Sequence, residues 1–107
     1  MEPIFVYMTA SSAEEARRIG RALVEARLAA CVNILDAMTS YYWWQGKIEE
    51  GQEAVLIAKT TRARIEALTA RVKSLHSYSV PCVVGLPIAG GNQDFLDWIG
   101  AETEAGA

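Results

Sequence analysis

The chain of 107 residues offers a soft metal ion or a nucleophilic mechanism few groups: one histidine, His76, two cysteines, Cys31 and Cys82, and three methionines. Imidazole, thiolate and thioether are the donors that copper-like ions select, and a cysteine paired with a histidine can become an activated nucleophile. Neither cysteine belongs to a C-x-x-C motif; each lies inside an apolar run, which reads as a reduced thiol in a core. No third group that would orient a Cys–His pair is evident. Gly85 and Gly90-Gly91 lack the pattern of a phosphate or dinucleotide loop, so catalysis is not expected. What stands out is Tyr41-Tyr42-Trp43-Trp44, four aromatic side chains in a row in a chain that has nine.

The elements that must position these residues follow from hydrophobic period. Ile4-Phe5-Val6-Tyr7-Met8 is a β-rich apolar run, read as a buried first strand. Ser12 and Glu15 have capping-box spacing, which starts a helix near Ala13. Along it Ala16, Ile19, Leu23 and Ala26 share one face, with Arg17, Arg18, Arg21 and Glu25 opposite. Ala29 to Leu35 resumes an extended pattern that continues into the aromatic row, and Gln45-Gly46-Lys47 supplies a turn. After the charged Glu49 to Glu53, Ala54 to Thr60 reads as a third strand buried on both faces, making a long antiparallel hairpin with the second. Ile65, Leu68, Val72 and Leu75 mark a second amphipathic helix that ends before His76. Val80 to Ile88 is a fourth strand, and Pro81 and Pro87, which lack the N–H of an inner ladder, favour its ends or an edge position. Asn92 caps a short helix carrying Phe95, Leu96, Trp98 and Ile99, and residues 101–107 read as a frayed tail.

The order βαββαβ plus a short C-terminal helix is the split βαβ, an α+β ferredoxin-like arrangement in one domain over residues 1–107. Its helices cover one sheet face, and the other needs a cover that the chain does not supply. In a strand, Tyr41 and Trp43 point one way and Tyr42 and Trp44 the other. One pair can enter the domain's own core; the second pair then calls for a subunit interface. A stacking platform for a small molecule and ordinary half-exposed strand residues are the competing readings.

Composition excludes several classes. Ten Lys and Arg against thirteen Asp and Glu form no basic stripe, so nucleic acid is not an expected partner. No apolar run approaches the ~20 residues of a membrane span, and the N-terminus has no signal pattern, so a cytoplasmic protein without a membrane partner is expected.

Leu28-Ala29-Ala30-Cys31-Val32-Asn33-Ile34, then Ser40-Tyr41-Tyr42-Trp43-Trp44-Gln45-Gly46-Lys47-Ile48, resemble the CutA divalent-cation tolerance family. His76-Ser77-Tyr78-Ser79-Val80-Pro81 is similar to that family's His-Pro-Tyr-Glu-x-Pro segment, and Asn92 to Ile99 to its closing segment. The resemblance runs through nearly the whole chain. It implies a ferredoxin-like subunit in a homotrimer, with Tyr41, Tyr42, Trp43 and Trp44 in the trimer interface, and a non-catalytic role in the response to divalent metal ions such as copper. No obligatory cofactor is implied.

The donors that the resemblance implies in copper-associated bacterial members fall here on Met8, Leu75 and His76, so only His76 is kept and Met8 is a weaker sulfur donor. Cys82 replaces the acidic residue after the proline and could add a soft ligand if it faces His76. Weak copper binding by His76, Met8 and Cys82 is the expectation, against a histidine that caps the helix end. The alternative is a regulatory trimer similar to PII signalling proteins, which would bind a small metabolite or anion between subunits through Lys59, Arg62, Trp44 or Tyr78.

Overall fold

A computed structural model describes residues 1–104. Strand β1 (Pro3–Ala10) leads into helix α1 (Ala13–Glu25), then β2 (Cys31–Trp44), β3 (Lys47–Thr61), α2 (Ile65–Leu75), β4 (Val83–Pro87) and α3 (Gln93–Glu102). The four strands form one sheet in the order β2-β3-β1-β4, and every neighbouring pair is antiparallel. This is the expected split βαβ order.

Alternation along the strands sorts the sheet into two unlike faces. Ile4, Val6, Met8 and Ala10 of β1 stand opposite Thr60, Ala58, Leu56 and Ala54 of β3. All eight are buried, and with Ala16, Ile19 and Leu23 of α1 and Leu68 and Val72 of α2 their apolar members make the core. Each large side chain in it contributes about 1.5–3 kcal/mol of transfer free energy. On the reverse face Phe5 stands opposite Lys59 and Leu86, and Tyr7 opposite Ile57 and Val84. There Leu35, Val84 and Leu86 are about half exposed. The described residues pack the first face fully and leave part of the second, at Leu35, Val84 and Leu86, in water.

Helix α1 begins as its sequence requires, with the Ser12 hydroxyl accepting from the Glu15 N–H at 3.1 Å. The returning half of the expected box differs: Glu15 Oε1 accepts from the Ser11 N–H and the Ser11 hydroxyl, both at 2.9 Å. The helix lies close to β2 at Gly20, where an added Cβ would sit 3.1 Å from Val32 Cγ1.

The hairpin is longer than its apolar residues suggested. β3 starts at Lys47, so the charged stretch Glu49 to Glu53 is strand, paired with β2, with Glu49, Glu50 and Gln52 in water and Glu53 part-buried. Its turn is Gln45-Gly46 with φ of 51° and 80°, the primed two-residue turn that matches strand twist. A bulge interrupts β2 between Leu35, opposite Val55, and Met38, opposite Glu53. Ala37 takes φ 61° there, and the Asp36 carboxylate accepts from its N–H at 2.7 Å. The extra residue exchanges the faces of everything beyond it.

That exchange corrects the reading of the aromatic row. Neither pair enters the domain's own core: Tyr41, Tyr42, Trp43 and Trp44 are all 44–72% exposed, because the hairpin arm runs past the helices. Two ends also differ. β4 begins only at Val83, leaving Val80 to Cys82 in a loop, and Pro87 is its last residue on an edge strand. Helix α3, capped by Asn92 as expected, continues through Glu102, and Thr103 is buried with its hydroxyl donating to Ile99 O at 2.8 Å. The frayed tail therefore does not begin at 101, and residues 105–107 lie outside the described ones.

Gly20→Val should destabilise the fold by about 1–3 kcal/mol, because Val32 must give way to a branched side chain. Guanidinium unfolding at fixed protein concentration reads this, and an unchanged midpoint would refute the close approach.

Candidate functional site: an aromatic cleft beside the helix end

The loop after α2 crosses the end of β1 and is fastened there by His76. Its backbone N–H closes the helix on Val72 O at 2.9 Å. Its ring then spans to another element: Nε2 lies 2.7 Å from Thr9 O, and Nδ1 accepts from the Tyr78 N–H at 3.0 Å. A donor at Nδ1 makes that nitrogen an acceptor and places the ring hydrogen on Nε2, where Thr9 O accepts it. The side chain is 1% exposed. His76 thus ties a loop to a strand, beyond the helix-end role expected of it.

Glu15 completes the fastening. Its side chain is 5% exposed, and Oε2 accepts from the Ser77 N–H at 2.8 Å. Burial alone would raise this carboxyl, but the Ser11 and Ser77 donors outweigh it and hold the group at about 2.

Beyond this knot lies an open cleft of about 570 Å³, lined by Tyr41, Tyr42, Trp44 and Tyr78 with Thr9, Ser40, Glu53, Ser79, Val80 and Cys82. The bulge is what turns part of the row toward it: Ser40, Tyr42 and Trp44 share the face of Met38 and Glu53. The Tyr7 hydroxyl reaches Met38 Sδ at 3.6 Å on that same face. Tyr78 donates its phenol to Glu53 Oε2 at 2.8 Å. Burial, then the Glu53 carboxylate, push the Tyr78 hydroxyl well above its ordinary value, so it stays a donor. The Cys82 thiol is likewise pushed up, by burial first and Glu53 second.

The expected metal donors do not converge. Met8 is buried in the core face of β1, opposite Leu56, both ring nitrogens of His76 are hydrogen bonded, and Cys82 lines the cleft. Among the described residues no group of three or more His, Cys, Asp and Glu side chains could enclose an ion. The donor set His76, Met8 and Cys82 therefore does not fit a metal as it stands; Cys82 and Glu53 are the available donors. Cys31 and Cys82 are both free thiols.

The anion-binding set separates too. Lys59 donates to Asn33 Oδ1, while Arg62 forms a two-pronged ion pair with Glu2 at 2.8 Å. Neither lines the cleft that holds Tyr78 and Trp44. Glu53, the residue that gives the cleft its charge, went unnoticed in the sequence because it lies in a run of surface-like carboxylates. Its only signal was its place just before the apolar part of β3.

An antiparallel four-stranded sheet with α1 and α2 packed on one face and an overlong aromatic hairpin places the chain in the ferredoxin-like α+β class. The chain belongs to the CutA1 divalent ion tolerance protein family, whose model matches residues 4–102. The divalent-cation tolerance protein CutA of Thermus thermophilus is 53% identical over 98 residues, 92% of this chain and 95% of that one. A solved divalent cation tolerance protein from the same organism aligns with a TM-score of 0.93 and 51% identity, covering 95% of this chain and 99% of that one. CutA1 from Oryza sativa aligns with a TM-score of 0.95 and 41% identity over 98% of this chain and 96% of that one. A third structure, described as the periplasmic divalent cation tolerance protein CutA from Archaeoglobus fulgidus, gives 0.92 and 45%, covering 95% and 99%.

The Glu15 knot predicts an acid limb of stability. Its folded value of about 2 lies below the ordinary 4.5, so its contribution is complete above pH 4.5 and is lost as pH falls toward 2. Unfolding midpoints measured through that window should fall in the wild type and flatten in Glu15→Gln. Parallel curves would remove Glu15 as the cause.

Proposed function

We propose that this protein serves divalent-cation tolerance as a homotrimer, without catalysis, and that its contact with copper is weak. The observation that carries the trimer is the second sheet face, where Leu35, Val84 and Leu86 stand about half exposed beside the part-buried Phe5, Tyr7 and Ile57. Contiguous apolar surface of this kind marks an association site, and closed symmetry hides it in every copy at once. The aromatic row extends the same surface along the hairpin and supports Tyr41, Tyr42, Trp43 and Trp44 as residues a neighbouring copy covers. The relatives' names as divalent-cation tolerance proteins support the cellular role. The free thiols support a cytoplasmic location, which cell fractionation checks.

Sedimentation equilibrium should give three times the 11.7 kDa chain mass. Leu86→Glu, which places a charge on the open face at a side chain already half exposed, should shift the protein toward monomer. A wild-type monomer would end this reading.

Calorimetry with Cu(II) should show weak binding that Cys82→Ser diminishes. His76→Ala should instead cost about 1–3 kcal/mol of stability, since it strips partners from Thr9 O and the Tyr78 N–H. Tight copper binding abolished by His76→Ala would restore the histidine as a ligand.

A further inference from the structure

We infer that the groove between α1 and α2, on the outer side of the helix layer, binds a small free oligophosphate through Arg18, Arg21 and Arg71. The three arginines line an open groove of about 440 Å³ together with Ala22, Glu25 and Ala26. Arg18, Ala22 and Ala26 follow one another at four-residue spacings along α1, so the small alanines leave room beside the guanidinium. Arg18 Nη2 crosses to the end of α2 and donates to Leu75 O at 3.4 Å. Arg71, one turn earlier in α2, lines the groove from the other wall. Glu25 is the one carboxylate in the lining, and it accepts from Arg21 Nε at 2.7 Å. Arg18 also lies 3.7 Å from Glu15, whose oxygens the Ser11 and Ser77 N–H groups already occupy. The Arg71 guanidinium meets no acceptor among the described residues, whereas Arg27, Arg62 and Arg64 each end on an oxygen elsewhere in the chain.

The guanidinium fork matches the oxygens of a phosphate group and holds its charge at any physiological pH. Arg18 and Arg21 stand on one wall and Arg71 on the other, so an ion with two phosphoryl groups presents one to each. A single carboxylate could engage only one wall. Glu25 is the internal counter-ion that such a ligand displaces from Arg21. The Arg18 and Arg21 side chains are 55% and 84% exposed, so the ligand meets them without any opening of the fold. All six lining residues belong to α1, its C-cap Ala26 and α2. The trimer reading assigns none of them to a covered face, so the groove stays in water with or without neighbouring copies. This anion site goes beyond divalent-cation tolerance and does not depend on it.

The test titrates sodium pyrophosphate, and sodium sulfate for comparison, into the full chain by calorimetry at constant ionic strength with divalent ions chelated. Pyrophosphate should bind at least about tenfold more tightly than sulfate. Arg71→Gln should weaken pyrophosphate binding at least about tenfold, and Arg71→Lys, which keeps the charge without the fork, should restore only part of it. Lys73→Gln removes the same charge from the other flank of α2, where Lys73 borders a hollow with Ile4 and Gly85, and should leave the affinity within about twofold. Glu25→Gln should tighten binding about threefold by freeing Arg21. No saturable heat, equal affinity for the two anions, an affinity unchanged in Arg71→Gln, or equal losses in Arg71→Gln and Lys73→Gln overturns the inference. Weaker binding in Glu25→Gln would overturn the part given to that carboxylate. Sedimentation of the same samples keeps the readings apart: a monomer that binds pyrophosphate refutes only the trimer, and a trimer that does not refutes only the groove.

Discussion

A four-stranded antiparallel sheet has two faces, and this chain packs only one of them to completion. Everything else about the molecule answers to that imbalance. The face under α1 and α2 is packed to completion, with Val6, Ala10, Ala16, Leu23, Ala54, Ala58 and Leu68 fully out of water. The opposite face alternates with it residue by residue, so the strands cannot be apolar on one side without choosing what to show on the other. They show Phe5, Tyr7, Ile57, Val84 and Leu86.

The loop beside the cleft illustrates how a small protein holds irregular backbone still. Ser77 to Cys82 makes no strand or helix, yet it is tied at both ends of its first turn by groups from elsewhere in the chain. His76 reaches β1, Glu15 reaches back from α1, and Tyr78 reaches β3. Each of those bonds joins residues at least 25 positions apart, so the loop is fixed by the tertiary fold rather than by turn chemistry. His76, drawn on as a metal donor, is thereby used as a fastener. A histidine with both ring nitrogens engaged has no lone pair to offer unless the loop lets go.

The sequence was most legible where local rules act alone. Periodicity located α1 and α2, Ser12 and Asn92 named their helix caps, and Gln45-Gly46 named its turn. The strand order and the uncovered face followed from element order. Legibility failed where a residue's surroundings come from distant sequence. The charged Glu49 to Glu53 stood outside the strand expected from Ala54, because charge suggests solvent, yet the arm keeps Glu49, Glu50 and Gln52 exposed within a strand. The aromatic row was assigned half to the core on sound alternation, without knowing that the arm outruns that core. Nothing in Asp36-Ala37 announced a bulge. For the site, Tyr78 and Trp44 were in view, while Glu53 was hidden among its neighbours and Lys59 and Arg62 were drawn in by charge alone.

The bulge at Asp36-Ala37 sets the phase of the hairpin independently of the phase of the sheet. Up to Leu35 the second strand is in step with the core, and from Met38 onward it runs one residue out of step. Removing that residue would leave the helices, the central strands and the packed face untouched, yet would trade Tyr42 and Trp44 for Tyr41 and Trp43 on the side that meets Tyr78. The identity of the cleft's walls is therefore stored in a count, not in a composition. Lineages of this fold could exchange one binding surface for another by a single-codon insertion or deletion at the bulge, with no cost to the core.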